Sequence, residues 1–191
     1  MHYLARGAAV TVLAAGLVFV SQAGAQQSDT NVGIGWATAG GLFGQGAHGS
    51  YGVGIGDAVS KHIVPFLDFS YSPLISYGYT YGANETGKGL FTSSVLDFNG
   101  GIKIRLPGKG DWVPYFGLGG GLLRFATSNY ESGFGTTATL NNNRNEFAGN
   151  ASVGGLYYVT PHVGVDLELK GYAGRYDHIL RASAGIFFQF P

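Results

Sequence analysis

The chain has 191 residues, 11 basic and 11 acidic side chains, 12 % charged residues, 14 % aromatics, 34 glycines and no cysteine. This charge balance gives no electrostatic case for nucleic acid, and the lack of cysteine excludes a disulfide framework, a thiol nucleophile and a Cys-based zinc site. Sparse charge with abundant Gly and aromatics suits a β-protein whose outer surface does not face water.

In chain order, the first segment reads as a leader. "MHYLARG" is a short basic start carrying Arg6, and "AAVTVLAAGLVFV" at 8–20 is a 13-residue apolar run. Ala23 and Ala25 in "AGA" flank a small-residue cleavage site before Gln26. The pattern is that of a bacterial-type secretory signal peptide over 1–25, and the run is too short to span a membrane comfortably. Residues 26–191 are then expected to form one domain. No later apolar run approaches about 18 residues, which excludes a spanning helix. A closed barrel is the membrane form left, because in lipid every backbone N–H and C=O must be paired within the fold.

Period-two alternation marks eight strands. Near 31–38, Val32, Ile34 and Trp36 oppose Gly33, Gly35 and Ala37. Near 49–57, Tyr51, Val53 and Ile55 oppose Ser50, Gly52, Gly54 and Gly56. Near 62–72, Ile63, Leu67, Phe69 and Tyr71 oppose Asp68 and Ser70, with Pro65 near the start. Near 90–106, Leu96, Phe98, Ile102 and Ile104 oppose Asp97, Asn99, Lys103 and Arg105. The strand near 112–125 is ambiguous, because turning Arg124 inward also turns Leu118 and Leu122 inward. Near 146–159, Phe147, Ala151, Val153 and Tyr157 oppose Asn150 and Ser152. Near 162–172, Val163, Val165, Leu167 and Leu169 oppose Asp166, Glu168 and Lys170. Near 179–190, Leu180, Ala182, Ala184, Ile186, Phe188 and Phe190 oppose Arg181, Ser183 and Gln189. The greasy faces are expected in lipid and the small or charged faces in the lumen.

The connections alternate too. "AVSK", "PGKGD" and "TPH" are short, whereas the links around 40–49, 73–89, 127–145 and 173–178 are longer. Short turns on one rim and longer loops on the other are the habit of outer-membrane barrels. The last strand ends "AGIFFQF" before Pro191, close to the aromatic C-terminal signal of bacterial outer-membrane proteins. With "YYVTPHVGVDLELKGY" and "WVPYFGLGGGLL", the chain from leader to last strand resembles the small eight-stranded OmpA/OmpX-like outer-membrane β-barrel family of Gram-negative bacteria. The expected fold is therefore all-β: an eight-stranded antiparallel up-and-down transmembrane barrel after a cleaved signal peptide.

An eight-stranded barrel is only wide enough for side chains to fill it. Asp68, Asp97, Asp166 and Glu168 are expected to meet Lys103, Arg105, Lys170 and Arg181 there, as a structural charge network that plugs the lumen. The resemblance includes barrels that deacylate or acylate lipid A, which use His with Ser at the lipid-facing or rim surface. Here His48, His62, His162 and His178 show no such pairing with Ser, and a solvated rim position is the plainer reading. "GVGIG" and "GLGGGL" lack the helix and Lys of a phosphate loop and read as close strand packing. Arg144, in "NNNR", reads as solvated loop text. Tyr71, Tyr77, Tyr79, Tyr81, Tyr130, Tyr172 and Tyr176 toward one rim, and Trp112, Tyr157 and Tyr158 toward the other, fit an interface girdle.

The function expected is a non-enzymatic, porin-like outer-membrane protein, a structural anchor or surface-interaction module without cofactor or metal. Its expected partners are outer-membrane lipid and lipopolysaccharide, the barrel-assembly machinery through the C-terminal strand, and an extracellular ligand at loops 73–89 and 127–145. The alternatives are a lipid A or phospholipid-modifying barrel enzyme and a soluble exported lipocalin-like barrel. The lipocalin reading needs a greasy lumen and a charged exterior, the reverse of the strands near 90–106 and 162–172.

Overall fold

A computed structural model describes residues 32–44, 47–81, 87–108, 110–133 and 136–190. The expected leader at 1–25 lies outside the described residues. Eight strands follow one another: β1 (Val32–Phe43), β2 (His48–Ala58), β3 (Ile63–Tyr81), β4 (Gly87–Arg105), β5 (Trp112–Gly133), β6 (Thr136–Tyr158), β7 (Val163–Gly174) and β8 (His178–Phe190). Each pairs antiparallel with its chain neighbours, and β1 closes on β8. Closure gives the backbone groups of the wall partners on both sides, so the wall itself has no open edge.

The alternation sets which side chains point out. Val53, Ile55, Leu67, Phe69, Phe98, Ile102, Val153, Leu167, Leu169, Phe188 and Phe190 are exposed on the outer wall. β1 departs from the expected facing. Ile34 and Trp36 are buried inside the barrel rather than turned to lipid. The reason lies on the next strand: the Trp36 indole fills the space over Gly54, where an added methyl would collide with it. Tyr115 uses Gly154 in the same way, and Phe187 uses Gly164. These rings build an apolar cluster at the short-turn end from Ile34, Trp36, Val64, Phe66, Val113, Tyr115, Leu156, Tyr158 and Phe187. The ambiguity on β5 is also settled. Val113, Tyr115 and Leu123 are buried, while Leu118 and Arg124 are exposed on the outside.

Two short turns share one chemistry. The Ser60 hydroxyl accepts the backbone N–H of His62 at 3.3 Å and of Ile63 at 3.0 Å. Thr160 does the same for His162 at 3.3 Å and Val163 at 3.0 Å. A side-chain oxygen thereby stands in for turn backbone.

The opposite rim corrects the expected loops. Residues 73–81 and 87–89 are paired strand, as are 127–133 and 136–145. The Tyr and Thr in these stretches favour extended structure, and cross-strand pairing decides over their Ser, Asn and Gly. A bulge between Pro73 and Ile75 takes up the register shift where proline has no N–H to give. The last β2–β3 pair is Tyr51 with Tyr71, and the last β6–β7 pair is Ala148 with Gly174. Beyond these pairs β3–β6 continue as a raised four-stranded sheet. Residues 72–81 alone extend it by about 30 Å along the strand at about 3.3 Å per residue. The β7–β8 link, at 175–177, stays short, so the rim is high on one half and low on the other.

Candidate functional site

All eight candidate charged residues sit at inward positions and are buried, from Glu168 at 7 % exposed to Lys170 at 0 %. Seven of them form one connected cluster. Glu168 is its hub, with Lys103 Nζ at 2.9 Å, Lys170 Nζ at 3.1 Å and an Arg181 terminal nitrogen at 3.5 Å. Asp166 stands 3.5 Å from Lys103. Asp68 pairs with Lys170 and lies 3.8 Å from Arg181, which is 3.7 Å from Asp97. Charges at such distances out of water hold only when their remaining lone pairs and protons are bonded.

Neutral neighbours supply those bonds to the four carboxylates, while Arg181 Nε and Nη1 have no hydrogen-bond partner among the described residues. Asn99 donates to Asp68 at 2.6 Å and to Asp97 at 2.8 Å. Tyr172 donates to Asp97 at 2.6 Å, and Ser70 does so at 3.3 Å. The Tyr115 hydroxyl lies 2.8 Å from Asp166 and 3.0 Å from Glu168, and accepts from Lys103 at 3.2 Å. Lys103 Nζ also stands 4.5 Å above the Trp36 ring and 4.5 Å above the Tyr115 ring, in cation–π contact. Tyr115 and Tyr172 were not among the candidates. The inward parity of β5 would have found Tyr115, and Tyr172 reads as a girdle tyrosine until closure puts it opposite Asp97.

The ionic cluster lies between two apolar layers. On the turn side is the cluster around Trp36 and Phe187. On the other side are Leu42, Val95, Leu123, Ala148, Tyr172 and Ile179. Arg105 departs from the expected network. Among the described residues its Nη1 and Nη2 have no hydrogen-bond partner, and it lies near the Trp36 layer on the turn side of the cluster. A cavity of about 20 Å³ beside it, bounded also by Lys103 and Asp166, matches one water molecule in size.

Arg144 is not free loop text. It pairs with Asp177, lies 3.5 Å from Glu146, and stacks its guanidinium 4.6 Å over Phe125 and 5.4 Å over Tyr176. The Tyr176 N–H donates to Glu146 at 2.7 Å. This group ties the foot of the raised sheet to the short β7–β8 turn.

Of the expected girdle, Tyr176 lies exposed in the β7–β8 turn and the other nine residues divide into three sets. Tyr71, Tyr130, Trp112 and Tyr157 are exposed on the outward side. Tyr158 and Tyr172 are buried in the interior. Tyr77, Tyr79 and Tyr81 pair with Phe91, Gly89 and Gly87, on the face of the raised sheet that continues the inner wall. Tyr79 Oη is 2.7 Å from Glu131 Oε1 and 2.9 Å from Asn129 Oδ1. Its bond to the Glu131 carboxylate pushes the phenol above its ordinary pKa, so it stays protonated.

Other candidate positions fall at the rims or outside. The His62 ring Nδ1 is 3.2 Å from the Arg105 carbonyl, and His162 lies in the second hydroxyl-braced turn. Small outward residues Ala39, Ala182 and Ala184 beside Leu167, Leu169 and Trp112 leave a shallow hollow of about 540 Å³ on the outer wall.

A closed eight-stranded antiparallel barrel with an apolar outside and a filled inside is the class of protein that crosses a membrane by strands. No family model and no curated protein matches the chain. Among solved structures it is similar to Neisserial surface protein A, at 12 % identity and TM-score 0.53 over 83 % of this chain and 96 % of that one. It is similar to the N-terminal β-barrel domain of Pseudomonas aeruginosa OprF, at 18 % identity and TM-score 0.53 over 85 % and 100 %. A major outer membrane protein from Thermus thermophilus matches at 13 % identity and TM-score 0.50 over 83 % and 99 %. Likeness at these identities shows the fold: the transmembrane β-barrel of outer-membrane proteins.

Proposed function

We propose that this protein is a non-enzymatic outer-membrane barrel, OmpA/OmpX-like in plan, that anchors and displays a raised β-sheet. The observation that carries this reading is the interior. A seven-residue ionic cluster closed off by apolar layers at both ends is a plug, and a plugged barrel serves as a mount rather than a wide channel. In this reading Asp68, Asp97, Lys103, Asp166, Glu168, Lys170 and Arg181 hold the wall together, and Arg105 adds its charge beside them. Residues 1–25 are a cleaved leader, and 26–191 are the mature barrel domain. The outer wall, including the hollow beside Leu167, contacts lipid and lipopolysaccharide. Phe188 and Phe190 on β8 are the handle for the barrel-assembly machinery. The expected loop regions 73–89 and 127–145, whose described residues form the raised sheet, face outward from the cell and meet the extracellular ligand.

Fractionation tests the reading. The mature chain should begin at Gln26, sediment with the outer membrane, and migrate on gels as a heat-modifiable band after detergent extraction. Recovery as soluble periplasmic protein would overturn it in favour of an exported soluble barrel.

A further inference from the structure

The raised sheet carries its aromatics on one face. Ile75, Tyr77, Tyr79 and Tyr81 on β3 share that face with Phe91 on β4. The rings form a continuous row, with centroids 6.1 Å apart from Tyr77 to Tyr79, 6.2 Å from Tyr79 to Tyr81 and 5.4 Å from Tyr77 to Phe91. Two rings lie down on the sheet because the neighbouring strand offers no side chain beneath them. A methyl at Gly89 would strike the Tyr79 ring, and one at Gly87 would strike Tyr81. The Tyr79 ring is also pinned, since its hydroxyl reaches across β4 to Glu131 on β5. Neighbouring rings are tilted by 47° from Tyr77 to Tyr79 and by 40° from Tyr79 to Tyr81, so the row is a stepped, twisted strip, and the pinned Tyr79 has already lost its rotamer freedom. Tyr77 remains 52 % exposed.

We propose that this row is a stacking platform for a neutral oligosaccharide. The charge on the face selects the ligand class. Glu131 is engaged by Tyr79 and Asn129, and at the foot of the sheet Arg144 is engaged by Asp177 and Glu146. With this acid and this base both committed, the described residues of the face offer no cluster of bases for a sulfated or phosphorylated chain. A stepped row of rings and short polar groups remain, including Ser93 and Thr127, whose hydroxyls are 3.4 Å apart. The C–H bonds on one face of a pyranose match an electron-rich ring, and its hydroxyls need donors and acceptors at the rim. Ring spacing of about 6 Å is of the order of consecutive sugars in an extended chain. The low β7–β8 rim leaves the face open to a chain arriving from that side. Among the described residues the outer face of the same sheet shows no such row: Leu90 and Tyr130 stand among Ser, Thr, Asn and the exposed Lys88.

The inference rests on the barrel reading only for which way the sheet points. It is tested on the refolded full-length barrel in detergent, where the heat-modifiable band reports folding separately from binding. Maltohexaose, cellohexaose and chitotetraose are titrated by calorimetry and saturation-transfer NMR. At least one should bind saturably. Tyr77→Ala, whose ring can be removed without touching the Glu131 bond, should weaken that sugar about tenfold, an effect the size of one lost ring contact. Tyr79→Phe keeps the ring but not its anchor and should weaken it less, and Tyr130→Ala on the opposite face should leave it unchanged. Saturable binding to none of the three sugars overturns the proposal. So does equal loss in Tyr130→Ala, or tighter binding of a heparin hexasaccharide than of any neutral sugar.

Discussion

Lys170→Met is the sharpest perturbation of the interior. The side chain is fully buried, paired with Asp68 and with Glu168 at 3.1 Å, and its Nζ lies 5.2 Å over the Phe66 ring. Methionine keeps most of the stem volume and removes the charge. The cluster then holds four carboxylates, Asp68, Asp97, Asp166 and Glu168, against Lys103 and Arg181 alone. Arg181 already stands 3.8 Å from Asp68 and 3.5 Å from Glu168, so it adds no new charge to replace the one removed. Breaking one side of a buried pair costs about 3–5 kcal/mol, mostly because the partner charge is stranded. The stranded charge can itself be removed. Lys170→Met with Asp68→Asn keeps an oxygen for Asn99 to donate to and should recover at least about 2 kcal/mol of the loss. Urea unfolding of the barrel from lipid vesicles, followed by Trp fluorescence and by the folded gel band, measures both. A cost below about 1 kcal/mol for the single variant would place the pair with solvated surface bridges. That result, or a double variant no more stable than the single, would refute the argument.

Four further outcomes use the same assays. Leu167→Arg puts a cation near the middle of the outward face of β7 and should cost about 2–4 kcal/mol, provided that face meets lipid. Water-soluble labels reaching cysteines placed at Val165 and Leu169, with Leu167→Arg neutral, would show that it does not. Glu168→Gln removes the hub of the cluster but leaves three acids against three bases, so its cost should be about 1–3 kcal/mol, below that of Lys170→Met. Arg105→Met should stay within about 1 kcal/mol of the parent, because its terminal nitrogens have no partner to strand among the described residues; a loss as large as for Lys170→Met would show that Arg105 is needed to balance the cluster. Replacing 130–143 with a short Gly-Ser link should leave a heat-modifiable barrel, since these residues lie beyond the last β6–β7 pair; disappearance of the folded band would show that the raised sheet holds the wall closed.

The strand count, the barrel class and the inward facing of Asp68, Asp97, Lys103, Asp166, Glu168, Lys170 and Arg181 were legible in the sequence. Period-two alternation needs no tertiary partner to be read, and Val163 to Lys170 carries its two faces in plain sight. Three features needed the closed structure. The facing of β1 depended on Gly54, which gives the Trp36 indole room on the next strand, and alternation within β1 alone favours the opposite side. The extent of β3–β6 depended on cross-strand pairing, because Ser, Thr, Asn and Gly read as loop when both faces of a sheet meet water. The separation of Arg105 from the other charges, and the joining of Tyr115 and Tyr172 to them, depended on barrel register. Alternation states that a side chain points inward, but the stagger between strands sets its depth, and depth decides which inward groups meet.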